Sequence, residues 1–222
     1  MPRVTKVAHA RTAGLACGKC GTKIKKGDPY IWWKFMHSGK SVRCLNHYPR
    51  QSELTQSDKL SRAYAVGESI EDAVAEVTKA LPLAQEAVEV TEALRIAVSD
   101  LADALTEGAD EARSVGEEYG ESADNIEQAF SSSSTADECR EKADSLEEYA
   151  SALENVDGAE ALKELEGQPI FDWDKLVEAA GPDEAGFEAA MVEAFEQDLS
   201  GRFEPIENLV SEADDASGSL SL

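Results

Sequence analysis

Cysteine is scarce in this chain, and so are most residues that carry covalent chemistry. Its 222 residues include four Cys, three His, three Met and three Trp. So few cysteines do not make the dense staple pattern of a small secreted domain, and they point to a reducing compartment. No apolar run approaches the ~20 residues of a membrane-spanning helix. No apolar core follows the basic start Met1-Pro2-Arg3, as a signal peptide would require. These absences predict a cytoplasmic protein with no membrane partner, associated with a virus particle or nucleoid where its partner resides there. A Gly-rich phosphate loop, an HExxH pair, a GxSxG elbow and a dinucleotide fingerprint are also missing. No small-molecule substrate is evident, and the expectation is a protein that is not an enzyme.

Basic residues are nearly absent from most of the chain. Residues 1–66 hold thirteen Lys or Arg against three Asp or Glu, a net of +10. Residues 67–222 hold eight against forty-two, a net of −34, which with +10 gives the −24 of the whole. A basic head suits a polyanion, and an acidic body is strongly solvated. Forty-two carboxylates offer so many pairs that no single pair is diagnostic of catalysis.

Three of the four cysteines and one histidine are arranged for a metal. Cys17-Gly18-Lys19-Cys20 and Cys44-Leu45-Asn46-His47 are two ligand pairs, each with two residues between its members. That spacing lets a tight turn aim both ligands at one ion, and three thiolates with one imidazole suit tetrahedral Zn²⁺. Four protein ligands close the site, so one structural zinc is expected. A buried cluster of reduced thiols, or a redox CxxC, accounts for the first pair but not for Cys44 and His47. His9 falls in the N-terminal arm and His37 in a turn, which makes both poorer ligands than His47. The fourth cysteine, Cys139, falls on an apolar helical stripe and is expected in a core.

Around these ligands the pattern is that of a small finger. Lys25-Lys26-Gly27-Asp28-Pro29 is a turn by composition. Tyr30 to Phe35 alternates as a strand, with Ile31, Trp33 and Phe35 on one face and Trp32, Lys34 and Met36 on the other. Ser38-Gly39 turns the chain, and Ser41-Val42-Arg43 returns it to Cys44. Knuckle, hairpin, then a ligand pair leading into a helix is the treble-clef order. The CxxC, the Gly-Asp turn, the Trp-bearing strand and the second ligand pair resemble the poly(ADP-ribose) polymerase-type zinc finger, and also small uncharacterised zinc-finger proteins of bacteriophages. The likeness spans residues 17–55, including Pro49 and Ser52-Glu53-Leu54-Thr55. It implies a structural zinc and binding to DNA ends and breaks. This chain's second pair runs Cys then His, where that family has His then Cys.

After a short helix expected around Asp58–Ala65, Gly67 is read as a break and a boundary. Ile70, Val74, Val77, Leu81, Ala84, Val88 and Thr91 then step by 4 and 3. The register slips by one residue before Leu94, Val98, Leu101, Leu105, Gly108, Ala112, Val115, Tyr119, Ser122, Ile126 and Ala129. This predicts a long amphipathic helix pair or coiled coil with one phase defect, N-capped by Ser69 and kinked or restarted at Pro82. Thr135-Ala136-Asp137-Glu138 reads as a capping box opening a second helix. Its stripe is Cys139, Ala143, Leu146, Ala150 and Leu153, and it forms an antiparallel hairpin with the first. Because it covers less than half of the first helix, the remaining stripe needs the C-terminal segment or a second copy of the chain. Breakers at Asp157-Gly158, Gly167-Gln168-Pro169 and Gly181-Pro182 predict short helices. Asp172 and Pro182 are helix starts, and Phe187, Met191, Ala194 and Phe195 form a stripe. Ile170, Phe171 and Trp173 are anchors, and Leu220 and Leu222 hint at a docking end.

The predicted fold is therefore a small zinc-stabilised α+β, treble-clef-like head followed by an all-α body with a long antiparallel helical hairpin. Its expected parts are a flexible basic arm at 1–14, the zinc-finger head at 15–66 and the hairpin at 69–156. Short acidic helices packing on it at 157–210 and a disordered tail at 211–222 complete the chain. Lys19, Lys23, Lys25, Lys26, Lys34, Lys40, Arg43 and Arg50 surround the finger, with Trp32 as a stacking surface, so nucleic acid is an expected partner. A protein partner or self-association through the helical body is expected alongside it. Three alternatives remain open: a protein-docking assembly role for the head, an acidic body that imitates nucleic acid, and an acidic body that masks its own head.

Overall fold

The protein is described here from a computed structural model, in residues 2–36, 38–87, 89–130, 133–166, 184–220 and 222. The expectations for His37, Val88, Asp172 and Pro182, and for the anchors Ile170, Phe171 and Trp173, fall outside the described residues, as does the side chain of Phe187. Two compact units divide the chain, Met1–Ala65 and Val66–Leu222.

The first unit is strand-rich. Strands β1 (Thr5–Val7), β4 (Tyr30–Lys34) and β5 (Lys40–Cys44) form an antiparallel sheet in the order β1-β4-β5. Strands β2 (Leu15–Ala16) and β3 (Lys23–Ile24) form a separate two-stranded ribbon. Residues of β4 alternate between two faces, and both faces are covered. Ile31 and Trp33 are buried on one side, while Tyr30 and the half-buried Trp32 on the other pack with Ala10, Ile24, Val7, Leu15 and Val42. A core this small explains why so few residues need outside help to fold.

Residues 1–14, expected as a flexible arm, are partly a strand. Thr5, Lys6 and Val7 pair with Trp32, Ile31 and Tyr30 along the edge of β4. Ala10 is buried, its N–H donating to the Asp28 carbonyl at 2.8 Å and its carbonyl accepting from the Gly27 N–H at 2.9 Å. A three-residue strand is too short to show an alternating pattern, and its reason for existing is the open edge of β4.

Helix α1 is one element, Asp58–Ala87, and its first residues belong to the first unit. It starts at Ser57, whose hydroxyl accepts from the Leu60 N–H at 3.4 Å, so Ser69 is interior rather than a cap. Gly67 does not break it. A Cβ there would lie 3.4 Å from the Ser217 carbonyl oxygen and 3.5 Å from the Tyr149 hydroxyl, so the glycine serves close packing. Pro82 is also within the helix. The slip in the heptad register instead marks the true break: Thr91 caps α2 (Glu92–Ala129), its hydroxyl accepting from the Leu94 N–H at 3.2 Å.

Along α2 the stripe from Leu94 to Tyr119 is buried as read, then moves to Ala123 and leaves Ala129 exposed. Helix α3 (Ser134–Glu154) is capped by Ser133, two residues before the expected Thr135, with its hydroxyl accepting from the Thr135 N–H at 3.3 Å. Arg140 of α3 binds Glu127 and Asp124 of α2, and Arg113 of α2 binds Glu147 and Glu154 of α3. Moving toward the N-terminus of α2, its partners on α3 move toward the C-terminus. Burial follows Ala136, Leu146, Tyr149, Ala150 and Leu153, whereas Cys139 is only half-buried.

Helix α4 (Gly158–Glu166) begins at Asp157, whose carboxylate accepts from the Glu160 N–H at 2.8 Å. The last element, α5 (Glu184–Ser217), corrects two expectations. Residues 184–210 are not a series of short helices, and residues up to Ser217 are not disordered. Phe203, Ile206, Leu209, Ala213 and Ala216 recur at helical spacing and are buried. Acidic and Ser-rich composition concealed that stripe. The expected one failed in its described part: Met191 and Ala194 are half-buried and Phe195 is 38% exposed. Helix α5 packs on α3 and α4, and the Gln85 amide of α1 donates to Glu207 at 2.9 Å, so the C-terminal segment does cover the other helices. Among the described residues, no helix is long and apolar enough to cross a membrane.

Two glycines test this packing in opposite directions. A Cβ on Gly158 would lie 2.9 Å from the Ala102 Cβ and 3.0 Å from its Cα, whereas one on Gly120 meets nothing within 4 Å. Gly158→Ala should destabilise by roughly 1–3 kcal/mol through overpacking. Gly120→Ala should stabilise by about 1 kcal/mol through helix propensity. Urea unfolding of both variants, followed by far-UV circular dichroism, reads the two signs.

Candidate metal centre

Two turns aim four ligands at one point. In the turn joining β2 to β3, the Cys17 N–H donates to the Thr22 carbonyl at 3.0 Å and the Gly21 N–H returns to the Cys17 carbonyl at 2.8 Å. Gly21 adopts φ +69°, a left-handed conformation that favours glycine. Cys44 is the last residue of β5, and the His47 N–H donates to its carbonyl at 3.0 Å, which folds the imidazole back toward the sulfur.

The ligand atoms of Cys17, Cys20, Cys44 and His47 all lie within 4.8 Å of one another. The Cys20 and Cys44 sulfurs are 3.9 Å apart, and His47 Nδ1 is 3.7 Å from the Cys17 sulfur and 3.1 Å from the Cys44 sulfur. Four-coordinate metal–sulfur bonds of ~2.3 Å set sulfurs about 3.8 Å apart, so the spacing fits one tetrahedral ion. Cys17 is buried, Cys44 and His47 are half-buried and Cys20 is exposed. His9 is elsewhere, with its Nδ1 3.2 Å from the Gly27 carbonyl oxygen, and His37 lies outside the described residues.

Electrostatics at the site favours a thiolate even before an ion arrives. Burial pushes the Cys17 thiol up, but backbone N–H groups of Cys20, Cys44 and Lys19 outweigh it and hold the thiol down at about 5. Cys44 moves the other way. Burial raises its pKa, and the neighbouring Cys17 sulfur raises it further. A metal ion would relieve this crowding, because each thiol gives up its proton on binding.

The basic residues read around the finger separate into two groups. Lys19, Lys23, Lys25, Lys26 and Lys34 are exposed. Lys40 is engaged: its ammonium sits 4.3 Å from the Trp32 ring centroid and donates to the Tyr30 hydroxyl at 3.3 Å. Trp32 is accordingly half-buried with a cation on its ring. Arg43 is turned inward, its side chain only 13% exposed, bound to Glu53 and stacked over Trp33. Arg50 is half-buried, and its backbone N–H donates to Glu53 at 3.1 Å.

Sequence reasoning missed three features. Tyr48 is 59% exposed directly beside the ligand His47, and Leu45 is 39% exposed within the same turn. Glu53, in the 3-10 turn Ser52–Leu54, binds Arg43, a pairing with no signal in the sequence. Comparison with known protein families, curated proteins and solved structures finds no match to this chain.

Cys44→Ser and Cys17→Ser should each lose the metal, while His9→Ala keeps it at one ion per chain. Elemental analysis of the purified variants measures this. A wild-type protein without metal after refolding with Zn²⁺ would remove the assignment.

Proposed function

We propose that this is a non-enzymatic zinc-finger protein whose basic head binds nucleic acid. The carrying observation is that the chain divides at Ala65–Val66, where the charge reverses, so the whole net +10 belongs to the unit with the ligand cluster. Zinc is the ion this ligand set suits best, and four protein ligands leave no open position for catalysis. A knuckle, a β-hairpin and a ligand pair before a helix make a treble-clef-like order, and the likeness to polymerase-type fingers adds DNA to the electrostatic argument. The contacts are the exposed Lys19, Lys23, Lys25, Lys26 and Lys34, which attract phosphate. Stacking falls to Tyr48 rather than Trp32, whose ring already carries the Lys40 ammonium. The acidic body, read as an antiparallel α2–α3 hairpin covered by α4 and α5, recruits a protein partner or self-associates. We read the protein as cytoplasmic.

A second reading, docking of a protein on the head, is favoured by one observation. Leu45, Tyr48 and Met36 are exposed apolar side chains on the same small unit. Such groups anchor protein interfaces as well as bases.

The test uses the zinc-loaded full chain and residues 1–66 in titrations with labelled single- and double-stranded DNA and RNA. The isolated head should bind more tightly than the full chain, because the net −34 of the body repels phosphate. Affinity should fall by about 10³ between 50 and 200 mM salt if six phosphates are neutralised. Lys25→Gln with Lys26→Gln should flatten that slope, and Tyr48→Ala should cost roughly 1–3 kcal/mol. No binding at low salt would leave the docking reading.

A further inference from the structure

Arg43 stands between the two halves of the metal site and touches parts of both. It immediately precedes Cys44. Its guanidinium lies against Gly18, the residue after Cys17: a Cβ added to Gly18 would collide with Arg43 Nη1. The same two segments are tied by the Gly18 N–H, which donates to the Val42 carbonyl at 2.9 Å. Beneath the guanidinium is the buried Trp33 ring, with Arg43 Cζ 5.4 Å from its centroid. At the far end Nη2 binds Glu53, whose second oxygen accepts the Arg50 N–H at 3.1 Å.

Each of these contacts removes freedom. Trp33 fixes the plane of the guanidinium, Glu53 fixes its tip, and Gly18 leaves room for it and nothing more. Arg43 Nε is buried with no hydrogen-bond partner, and Trp33 Nε1 is likewise unpartnered. A buried polar group left unpaired is costly, so this arrangement is not the one that best satisfies an arginine. It is one that holds the Cys17 knuckle against the strand carrying Cys44. Charge points the same way. Three thiolates and a divalent ion leave a net negative centre, and a buried guanidinium beside it offsets that charge.

We propose that Arg43, held by Glu53 and admitted by Gly18, is a positioning residue of the metal centre, setting the distance between its two ligand pairs. The inference rests on the metal reading of the site. It assigns Arg43 a role other than the phosphate contact expected from the sequence. It also gives the CxxC glycine a steric role: a Cβ on Gly18 would displace the Arg43 guanidinium from its place.

The test uses the full chain. Zinc affinity is measured by competition with a chromophoric chelator, and Co²⁺ serves as a spectroscopic stand-in whose visible bands report ligand number and geometry. Arg43→Ala should weaken zinc 10–100-fold, the range for residues that orient metal ligands, and should shift the cobalt bands while the stoichiometry stays at one ion. Arg43→Lys should recover only part of the loss, because an ammonium cannot bridge Glu53 and lie flat on Trp33. Gly18→Ala should weaken binding in the wild-type background and change it less than about threefold in the Arg43→Ala background, since the clash has gone. Glu53→Gln, which leaves both cysteine pairs and Arg43 in place, gives a smaller loss with the same direction of band shift.

Wild-type zinc affinity and unshifted cobalt bands in both Arg43→Ala and Glu53→Gln would overturn the proposal. So would an undiminished Gly18→Ala effect without Arg43. If Arg43→Ala fails to fold, the Glu53→Gln bands and affinity decide alone. A wild-type chain that takes up neither zinc nor cobalt would overturn the metal reading itself, an outcome distinct from normal loading with unresponsive variants.

Discussion

Convergence of three sulfurs and one imidazole nitrogen is the constraint on which the first unit depends. The four ligand atoms lie within 4.8 Å of one another, yet they come from turns 24 or more residues apart in sequence. Left as thiols, such groups crowd each other, and burial together with the Cys17 sulfur raises the pKa of Cys44, while backbone N–H groups hold Cys17 down. The surrounding strands cannot hold it by apolar burial alone. β2 and β3 have two residues each, β1 has three, and their shared cluster is centred on Ala10, Ile24 and Tyr30. A metal ion bound in such a small module would supply folding free energy directly. Among its described residues the second unit holds no such ligand cluster. Its buried stripes on α2, α3 and α5 make a core from side chains alone.

The two units also divide the chain's electrostatics. Cations on the first unit are of two kinds with different duties. Lys40, though exposed, is spent on the Tyr30 and Trp32 rings, and the inward-turned Arg43 on Trp33 and Glu53. Lys19, Lys23, Lys25, Lys26 and Lys34 are exposed. In the second unit Arg113 and Arg140, which remain partly exposed, bridge α2 to α3 through carboxylates. Net charge alone would have assigned all of these residues to a binding surface.

Ligand positions were legible because metal coordination is encoded in local spacing, and the ligand pairs Cys17–Cys20 and Cys44–His47 carry it whole. Burial along α2 was legible for the same kind of reason, since a long helix repeats its period many times. What could not be read was decided by tertiary contact. β1 exists because β4 has an edge to fill. Gly67 stays helical because a backbone carbonyl and the Tyr149 hydroxyl approach it. Residues near Ser211 are helical because Ile206, Leu209, Ala213 and Ala216 find a surface, against a composition that suggests disorder. Alternation in β4 placed Ile31 and Trp33 together, but it could not show that the opposite face is covered as well. That second cover is what turns Trp32 from an open ring into a half-buried one.

The 3.9 Å between the Cys20 and Cys44 sulfurs has a further consequence for the protein's lifetime. A disulfide needs sulfurs about 2.05 Å apart, so a small shift joins these two once no ion separates them. Cys20 is exposed, so oxidants in solution reach its sulfur directly. Metal loss and oxidative damage therefore meet at one pair of atoms, and a bound ion protects the thiols by occupying their lone pairs. A molecule stripped of its metal in air would be open to disulfide formation at this pair, which ties the lifetime of the head to its metal.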